Sequence, residues 1–195
     1  MANELTLEDI ADQRAYERER PEFLARVREM KKSRRIHVGD IMTFMFENRD
    51  TMRLQIQEMA RVEKISSDER IEEEIRIYNE LIPSRSQLKA TLMIELGTEE
   101  ELRTWLPKLP GIQDHIHLTF GELKVTAYEI GEDRLSREDE MTTTVHYMNF
   151  SFTDEQRQAF LSNNEEVRIV IDHPEYKEST VLTPETIEQL QSDLN

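Results

Sequence analysis

The strongest constraint on the fold is a series of short segments with alternating apolar residues in the second half of the chain. From Leu88 to Leu96 every second residue is apolar, which is the period of a half-buried β-strand. Because several such segments lie only a few residues apart, they favour an antiparallel or mixed sheet over a parallel one. The other predicted strands in this half cover residues 115–120, 123–130, 142–152 and 167–172.

Helical periodicity occupies much of the first half of the chain and several gaps between the strands. Pro21 predicts a break in the first long helix, because proline lacks an amide hydrogen and suits a first-turn position. Asn48 predicts the start of a helix over 49–64, and Ser66 with Glu69 predicts the start of the next one. These helices and strands together predict the α+β class.

The predicted architecture is a single domain over residues 1–195, with an antiparallel or mixed β-sheet and helices packed mainly on one side. Within this domain we expect an N-terminal helical part over 1–34, an α+β core over 35–176 and a C-terminal tail helix over 177–195. The polar segment 131–140 has no apolar period, so it is predicted to be a mobile loop.

Several classes of function are excluded by what the 195 residues lack. There are no cysteines, so the chain itself can form no disulfide, supply no thiolate and hold no iron–sulfur cluster. Its 5 glycines include no phosphate-binding loop pattern. No early segment has the pattern of a secretion signal, and no apolar run approaches the ~20 residues that cross a bilayer. We therefore expect a cytoplasmic protein with no membrane partner.

The charge of the chain is unevenly distributed. Residues 1–64 contain 13 basic and 13 acidic side chains, whereas residues 65–195 contain 12 and 28, so the whole net charge of −16 lies in the second part. Most of this surface would repel duplex phosphates, so nucleic acid is not an expected partner. A protein partner with a basic surface is easier to accommodate, and we expect it to contact residues after 65.

One predicted helix carries charged residues close to its apolar stripe, among them Arg49, Arg53 and Glu58. A charge placed against a core needs a partner, so the cluster is either a structural brace or the lining of a pocket. In such a pocket Arg49 and Arg53 would bind a carboxylate or phosphate. Asn79 and Glu80 on the following helix are the other candidate ligand-binding residues, and Glu58 is a candidate catalytic residue.

The histidines are the remaining candidates for acid–base chemistry and metal binding. His115 and His117 are two apart on a predicted strand, so both rings face the same way, either as metal ligands or simply towards solvent. Asp172 could orient His173 as a general base, or the two could form part of a turn. His146, in the middle of a strand, is a catalytic candidate or a hydrogen-bonded core residue. No cofactor is predicted apart from this open question of a metal ion.

Several runs of residues resemble one bacterial family. They are Phe46-Glu-Asn-Arg-Asp-Thr51, Gln55-Ile-Gln-Glu-Met59, Tyr78-Asn-Glu-Leu-Ile-Pro83, Val145-His146 and Asp172-His-Pro174. Together they resemble DUF3501, a bacterial family of unknown function, from about Leu5 to Tyr176. By gene association, the resemblance implies a link to rubrerythrin-like di-iron proteins and to iron–sulfur redox proteins. It implies no particular catalytic residue.

Two functional hypotheses follow, and the sequence leaves open whether the chain is an enzyme. The first is an accessory protein of an iron-dependent redox or peroxide-response system, which binds a di-iron or iron–sulfur protein through its acidic surface. The alternative is an enzyme, or a protein that binds a small anionic ligand or a metal, and that uses Arg49 and Arg53 with His146 and His173.

Overall fold

The computed structural model describes residues 4–131, 141–162 and 165–195. The segment 132–140, which holds all but the first residue of the predicted mobile loop, lies outside the described residues. The helices are α1 (Gln13–Arg34), α2 (Arg49–Glu63), α3 (Asp68–Asn79), α4 (Glu99–Trp105), α5 (Asp154–Leu161) and α6 (Pro184–Asp193). The strands are β1 (Arg35–Val38), β2 (Met42–Phe46), β3 (Gln87–Ile94), β4 (Ile116–Phe120), β5 (Leu123–Glu129), β6 (Val145–Ser151), β7 (Val167–His173) and β8 (Tyr176–Val181).

These strands form one antiparallel sheet in the order β1-β2-β3-β6-β5-β4-β7-β8. The two edges of the sheet meet, because the Tyr176 hydroxyl donates to the Val38 carbonyl oxygen at 2.8 Å and Thr180 Oγ1 donates to the His37 carbonyl oxygen at 2.7 Å. Gly39 follows β1 with a φ of 64°, and a Cβ there would collide with the Tyr176 hydroxyl. The sheet is therefore curled into a nearly closed barrel. The predicted single α+β domain is confirmed.

The main core lies on one face of this sheet and continues into the helices of the second half. Alternate residues of each strand enter it, as the pleat requires. Phe160 of α5 and Leu190 of α6 pack into the same core. Two smaller clusters connect α1, α2 and α3, one of them around Tyr16, Phe23 and Val27. The residues of the sheet that take part in the main core include Val38, Phe44, Phe46, Leu88, Leu92, Leu118, Val125, Met148, Phe150, Ile169 and Ile171.

Two predictions about helices are wrong. No break occurs at Pro21, because α1 continues through it and buries Tyr16 before the proline and Phe23 and Val27 after it in a single cluster. That packing offsets the roughly 3 kcal/mol that an interior proline costs a helix. The cap of α3 is Ser67 rather than Ser66, since the Ser67 hydroxyl accepts from the amide of Arg70.

The predicted tail over 177–195 is also wrong in its first part. Residues 177–181 belong to β8, which pairs with β7 along its whole length, and only the residues from Pro184 onward form a helix. Most side chains of β8 are exposed, so the strand lacks the alternation by which the other strands are recognised. Among the described helices, none is both long and apolar enough to cross a bilayer.

Candidate functional site

The two arginines of the predicted ligand pocket hold the N-terminal segment against α2. Arg49 Nη2 lies 2.5 Å from Asp9 Oδ1. Arg53 Nε donates to the carbonyl oxygen of Asp9 at 2.7 Å, and its Nη2 donates to Glu19 at 2.6 Å. The Arg53 guanidinium also lies over the ring of Phe23, 4.5 Å from its centroid. Both cations are thus engaged by residues that precede α1 or belong to it.

Glu58 is held in a similar way. Its carboxylate accepts from the Tyr16 hydroxyl at 2.6 Å and from Nε and Nη2 of Arg20 at 2.7 and 2.9 Å. The Arg20 hydrogen bonds outweigh the effect of desolvation and, together with Tyr16, lower the pKa of Glu58 to about 2. These contacts connect α1 to α2 as a brace, and a catalytic role for Glu58 stays a prediction.

Replacing Glu58 with glutamine is expected to expose this role through pH. The folded pKa of about 2 lies below the ordinary value of 4.5, so the ionised carboxylate stabilises the fold above pH 4.5 and that stabilisation is lost as the pH falls towards 2. We expect Glu58→Gln to lower the free energy of unfolding by about 1–2 kcal/mol at pH 7 and by almost nothing at pH 2. Urea unfolding across this pH range measures both values.

The matched control is Glu29→Gln, because Glu29 forms an exposed ion pair with Lys32 within α1. Exposed pairs contribute little, so we expect a change within about 0.5 kcal/mol at every pH. A difference between wild type and Glu58→Gln that stayed constant from pH 7 to pH 2 would contradict the assigned charge effect.

Asn79 and Arg49 line an open cleft of about 750 Å³. The Asn79 amide is already occupied, since its Oδ1 accepts from the Leu5 amide at 2.9 Å and its Nδ2 donates to the Leu5 carbonyl oxygen at 3.0 Å. Asp50 and Asp193, which also line the cleft, are paired with arginines. Glu80 is exposed and does not line it. Ligand binding by Arg49, Arg53, Asn79 and Glu80 stays a prediction.

His146 and Glu129 form a buried pair on the core side of the sheet. Nδ1 of His146 lies 2.9 Å from Glu129 Oε1, and both residues are almost fully buried. Nε2 of the same ring lies 3.0 Å from the Thr142 hydroxyl. Nε2 also lies 3.1 Å from the carbonyl oxygen of Thr143, so both ring nitrogens have hydrogen-bond partners. The pair is thus fully hydrogen-bonded, and a catalytic role for His146 stays a prediction.

His115, His117 and Asp172 are brought together on the outer face of the sheet, away from the main core. Nδ1 of His115 and Nε2 of His117 each lie 3.2 Å from Asp172 Oδ1. Lys124 Nζ lies 3.8 Å from Asp172 Oδ2. Nδ1 of His117 lies 3.1 Å from the hydroxyl of Thr126, which is its cross-strand partner on β5. The two imidazoles of the His-x-His motif thus share one carboxylate.

His173 points to the opposite side from Asp172, because successive strand residues alternate between faces. Its Nδ1 accepts from the Glu175 amide at 3.2 Å, so its Nε2 carries the proton that is donated to the Pro110 carbonyl oxygen at 3.1 Å. Asp172 therefore orients His115 and His117 rather than His173. His173 fixes the turn between β7 and β8, and it shares no described contact with His146.

No group of three or more His, Asp or Glu side chains within residues 4–131, 141–162 and 165–195 is arranged to hold a metal ion. In the described geometry, His115 and His117 are each hydrogen-bonded to Asp172. Metal binding by this pair stays a prediction. The prediction that the rings of His115 and His117 face the same way is consistent with their shared hydrogen-bond partner, Asp172.

Sequence reasoning missed a row of polar residues across the outer face. Lys89 lies opposite Asn149 in the β3–β6 register, and the Glu47 amide bonds to the Lys89 carbonyl oxygen. All three are buried, and burial lowers the pKa of the Lys89 ammonium. Glu47 Oε2 and Asn149 Oδ1 have no hydrogen-bond partner among the described residues. Thr126 was also missed, because threonine in a strand carries no sequence signal beyond β-propensity.

Comparison with known proteins places the chain in a family. The model of the family described as "Protein of unknown function (DUF3501)" matches residues 4–194, so the match continues past Tyr176 through β8 and α6. A crystal structure of a protein of unknown function from Burkholderia pseudomallei K96243 is similar, with 32% identity, a TM-score of 0.89 and coverage of 98% of this chain and 99% of that one. No curated protein matches. The chain belongs to the DUF3501 family of proteins of unknown function.

Proposed function

We propose that this protein is an accessory protein whose partner protein docks on the exposed outer face of β5 and β6, beside α3. The observation that carries this proposal is a patch of three large exposed side chains, Tyr128, Val145 and Tyr147, each 42–47% exposed. Val145, Tyr147 and Asn149 are each two residues apart on β6, so their side chains lie on one face. Tyr128 on β5 is paired with Asn149, so its side chain lies on the same face. We call them the tyrosine face.

The C-terminal end of helix α3 approaches this face, since Tyr78 interacts electrostatically with both Tyr147 and Glu74. The same helix exposes the acidic side chains of Asp68, Glu69, Glu72 and Glu73 further towards its N-terminus. Tyrosine is enriched at the centre of protein interfaces, and charged residues at the rim steer association. The chemistry of the surface therefore fits a partner that carries apolar side chains next to lysines or arginines.

The family resemblance narrows this partner further. The gene association that it implies favours a rubrerythrin-like di-iron protein or an iron–sulfur redox protein, which makes these the first purified partners to test. This narrower choice is supported by the resemblance alone, whereas the tyrosine face and α3 support the basic and apolar character of the partner.

The test is recovery of the tagged full chain from native cells, followed by titration of each captured protein in purified form. We expect the double variant Tyr128→Ser/Tyr147→Ser to weaken the purified complex at least about tenfold, because central tyrosines commonly contribute more than about 1 kcal/mol each. Replacing Glu72 and Glu73 with glutamine is expected to slow association at low salt and to reduce its salt dependence.

Val181→Ser is the matched control, because Val181 on β8 is 41% exposed but lies outside the tyrosine face. It is expected to leave binding unchanged. Recovery of the chain alone, or equal binding by the tyrosine double variant and Val181→Ser, would count against the proposal.

A further inference from the structure

A chain of three hydrogen-bonded side chains crosses β7, β4 and β5 on the outer face of the sheet. Asp172 Oδ1 lies 3.2 Å from Nε2 of His117, and Nδ1 of His117 lies 3.1 Å from Oγ1 of Thr126. His117 and Thr126 are directly paired in the β4–β5 register, so the backbone holds the last two members in place. The order carboxylate, imidazole, hydroxyl is the order in which a general base activates a nucleophile.

The hydrogen-bond partners determine where the protons lie. Burial acts to raise the pKa of the Asp172 carboxyl, but the hydrogen bonds from His117 and His115 outweigh it and hold that pKa below its usual value. Burial lowers the pKa of His117, so its ring carries one proton at neutral pH. An ionised carboxylate only accepts, so this proton is on Nε2. Nδ1 therefore has a free lone pair, which accepts the hydroxyl proton of Thr126.

Thr126 differs from His117 in its exposure. His117 is 6% exposed and is fixed between its two partners, whereas Thr126 is exposed to solvent. With its hydrogen directed at His117, the Thr126 hydroxyl retains the oxygen lone pairs that a nucleophile uses. Lys124 lies two residues before Thr126 on β5 and on the same face of the sheet. Its Nζ is 3.8 Å from Asp172 Oδ2, so it places a positive charge beside the three hydrogen-bonded side chains.

We infer that Thr126 is a nucleophile that accepts acyl groups from small esters or thioesters, with His117 as the general base and Asp172 as a positioning residue. Thr126 Oγ1 forms a bond to the carbonyl carbon while its proton moves to His117 Nδ1. The bond from that carbon to the alcohol or thiol then breaks, and His117 returns the proton to the leaving group. Water hydrolyses the resulting ester of Thr126 with His117 again as base. The positive charge of Lys124 favours substrates that carry a negative charge.

The experiment treats the full chain with diisopropyl fluorophosphate and, separately, with p-nitrophenyl acetate, and maps the modified peptides. The first reagent forms a bond between phosphorus and Thr126 Oγ1, releases fluoride and transfers the hydroxyl proton to His117. We expect both reagents to modify Thr126. His117→Gln is expected to slow both reactions at least about 100-fold, which is the usual contribution of a general base. Thr126→Val removes the adduct.

Three further variants separate catalysis from folding. Thr119→Val on β4 is the matched control, because Thr119 lies on the same face and has no histidine contact among the described hydrogen bonds; it is expected to react like wild type. Asp172→Glu is expected to retain more of the rate than Asp172→Asn, because only the glutamate keeps a carboxylate for Nε2. Thermal unfolding of each variant reports whether it folds. Absence of an adduct on Thr126 with diisopropyl fluorophosphate, or a wild-type rate in folded His117→Gln, overturns the assignment.

Discussion

Arg34→Met is expected to lower the free energy of unfolding by about 3–5 kcal/mol, which is the usual cost of removing one partner from a buried ion pair. Arg34 is 2% exposed, and its Nη1 and Nη2 donate to the two carboxylate oxygens of Asp193 at 2.7 and 2.9 Å. Methionine has a similar length but no charge, so Asp193 would remain buried without its partner. Urea unfolding at pH 7 measures the loss.

The stability lost in Arg34→Met is also expected to depend on pH. Burial raises the pKa of Asp193 above its usual value of 3.8 even with Arg34 present. A carboxyl with a raised folded pKa binds its proton more tightly in the folded state, so its ionisation lowers stability as the pH rises through that range. Without Arg34 this penalty grows. The deficit of Arg34→Met should therefore shrink as the pH falls through the raised folded pKa of Asp193, because the buried carboxyl becomes neutral there.

A double replacement provides the control. Arg34→Met/Asp193→Leu removes both charges and is expected to recover most of the stability lost by Arg34→Met, since an apolar pair of similar volume replaces a buried ion pair at little cost. Equal losses in the single and double variants would show that packing of the arginine stem, rather than the stranded carboxylate, accounts for the effect.

The same ion pair connects the two ends of the chain. It joins the last residue of α1 to the last residue of α6, 159 positions apart. The predicted N-terminal helical part and C-terminal tail are thus fixed to each other as well as to the sheet. Long-range contacts of this kind have no local sequence signal, so the predicted parts describe the order of elements along the chain and not separate units.

The elements themselves could be predicted wherever the signal was local. The Asn48 cap placed α2 correctly, because a cap acts through hydrogen bonds three residues away. The alternation from Leu88 to Leu96 located β3 for a similar reason. The prediction failed at Pro21 and over 177–181, where distant packing or pairing with β7 decided the structure.

The candidate sites could be predicted only as lists of residues. Periodicity shows that His115 and His117 share a face, but their common partner, Asp172, depends on which strand lies beside β4, and that order is set by the whole sheet. Similarly, the partners of Arg53 and Glu58 lie on α1 and in the turn before it, more than 30 residues away in the chain. Spacing within a helix predicts that such charges need partners and does not identify them.

The two proposals concern neighbouring parts of one uncovered surface. Tyr128 of the tyrosine face and Thr126 are two residues apart on β5 and point the same way. Their tests remain separate, because the substitutions at Tyr128 and Tyr147 leave the contacts among Thr126, His117 and Asp172 in place. A partner that docks on the tyrosine face would lie next to the Thr126 hydroxyl, so acyl transfer and docking can be combined in one assembly.

Arg157→Met is expected to cost about 3 kcal/mol and to loosen α6 selectively. Arg157 is 6% exposed, and its guanidinium donates to two backbone carbonyl oxygens, that of Arg85 at 2.8 Å and that of Leu194 at 2.6 and 2.9 Å. Leu194 is the C-cap of α6, where a cation also interacts favourably with the helix dipole. Removing the guanidinium leaves both carbonyl groups without this donor, at about 1–3 kcal/mol each. Urea unfolding measures the total, and hydrogen exchange at α6 amides measures the local effect.

Arg157→Lys and Arg168→Met complete the test. Lysine restores the charge but not the planar fork that reaches two carbonyl groups at once, so we expect it to recover only part of the loss. Arg168 forms an exposed pair with Glu166 and is 41% exposed, so its replacement by methionine is expected to change stability by less than about 0.5 kcal/mol. If Arg157→Met cost no more than Arg168→Met, or left exchange in α6 unchanged, the guanidinium would not be the link that holds α6 against α5 and the segment before β3.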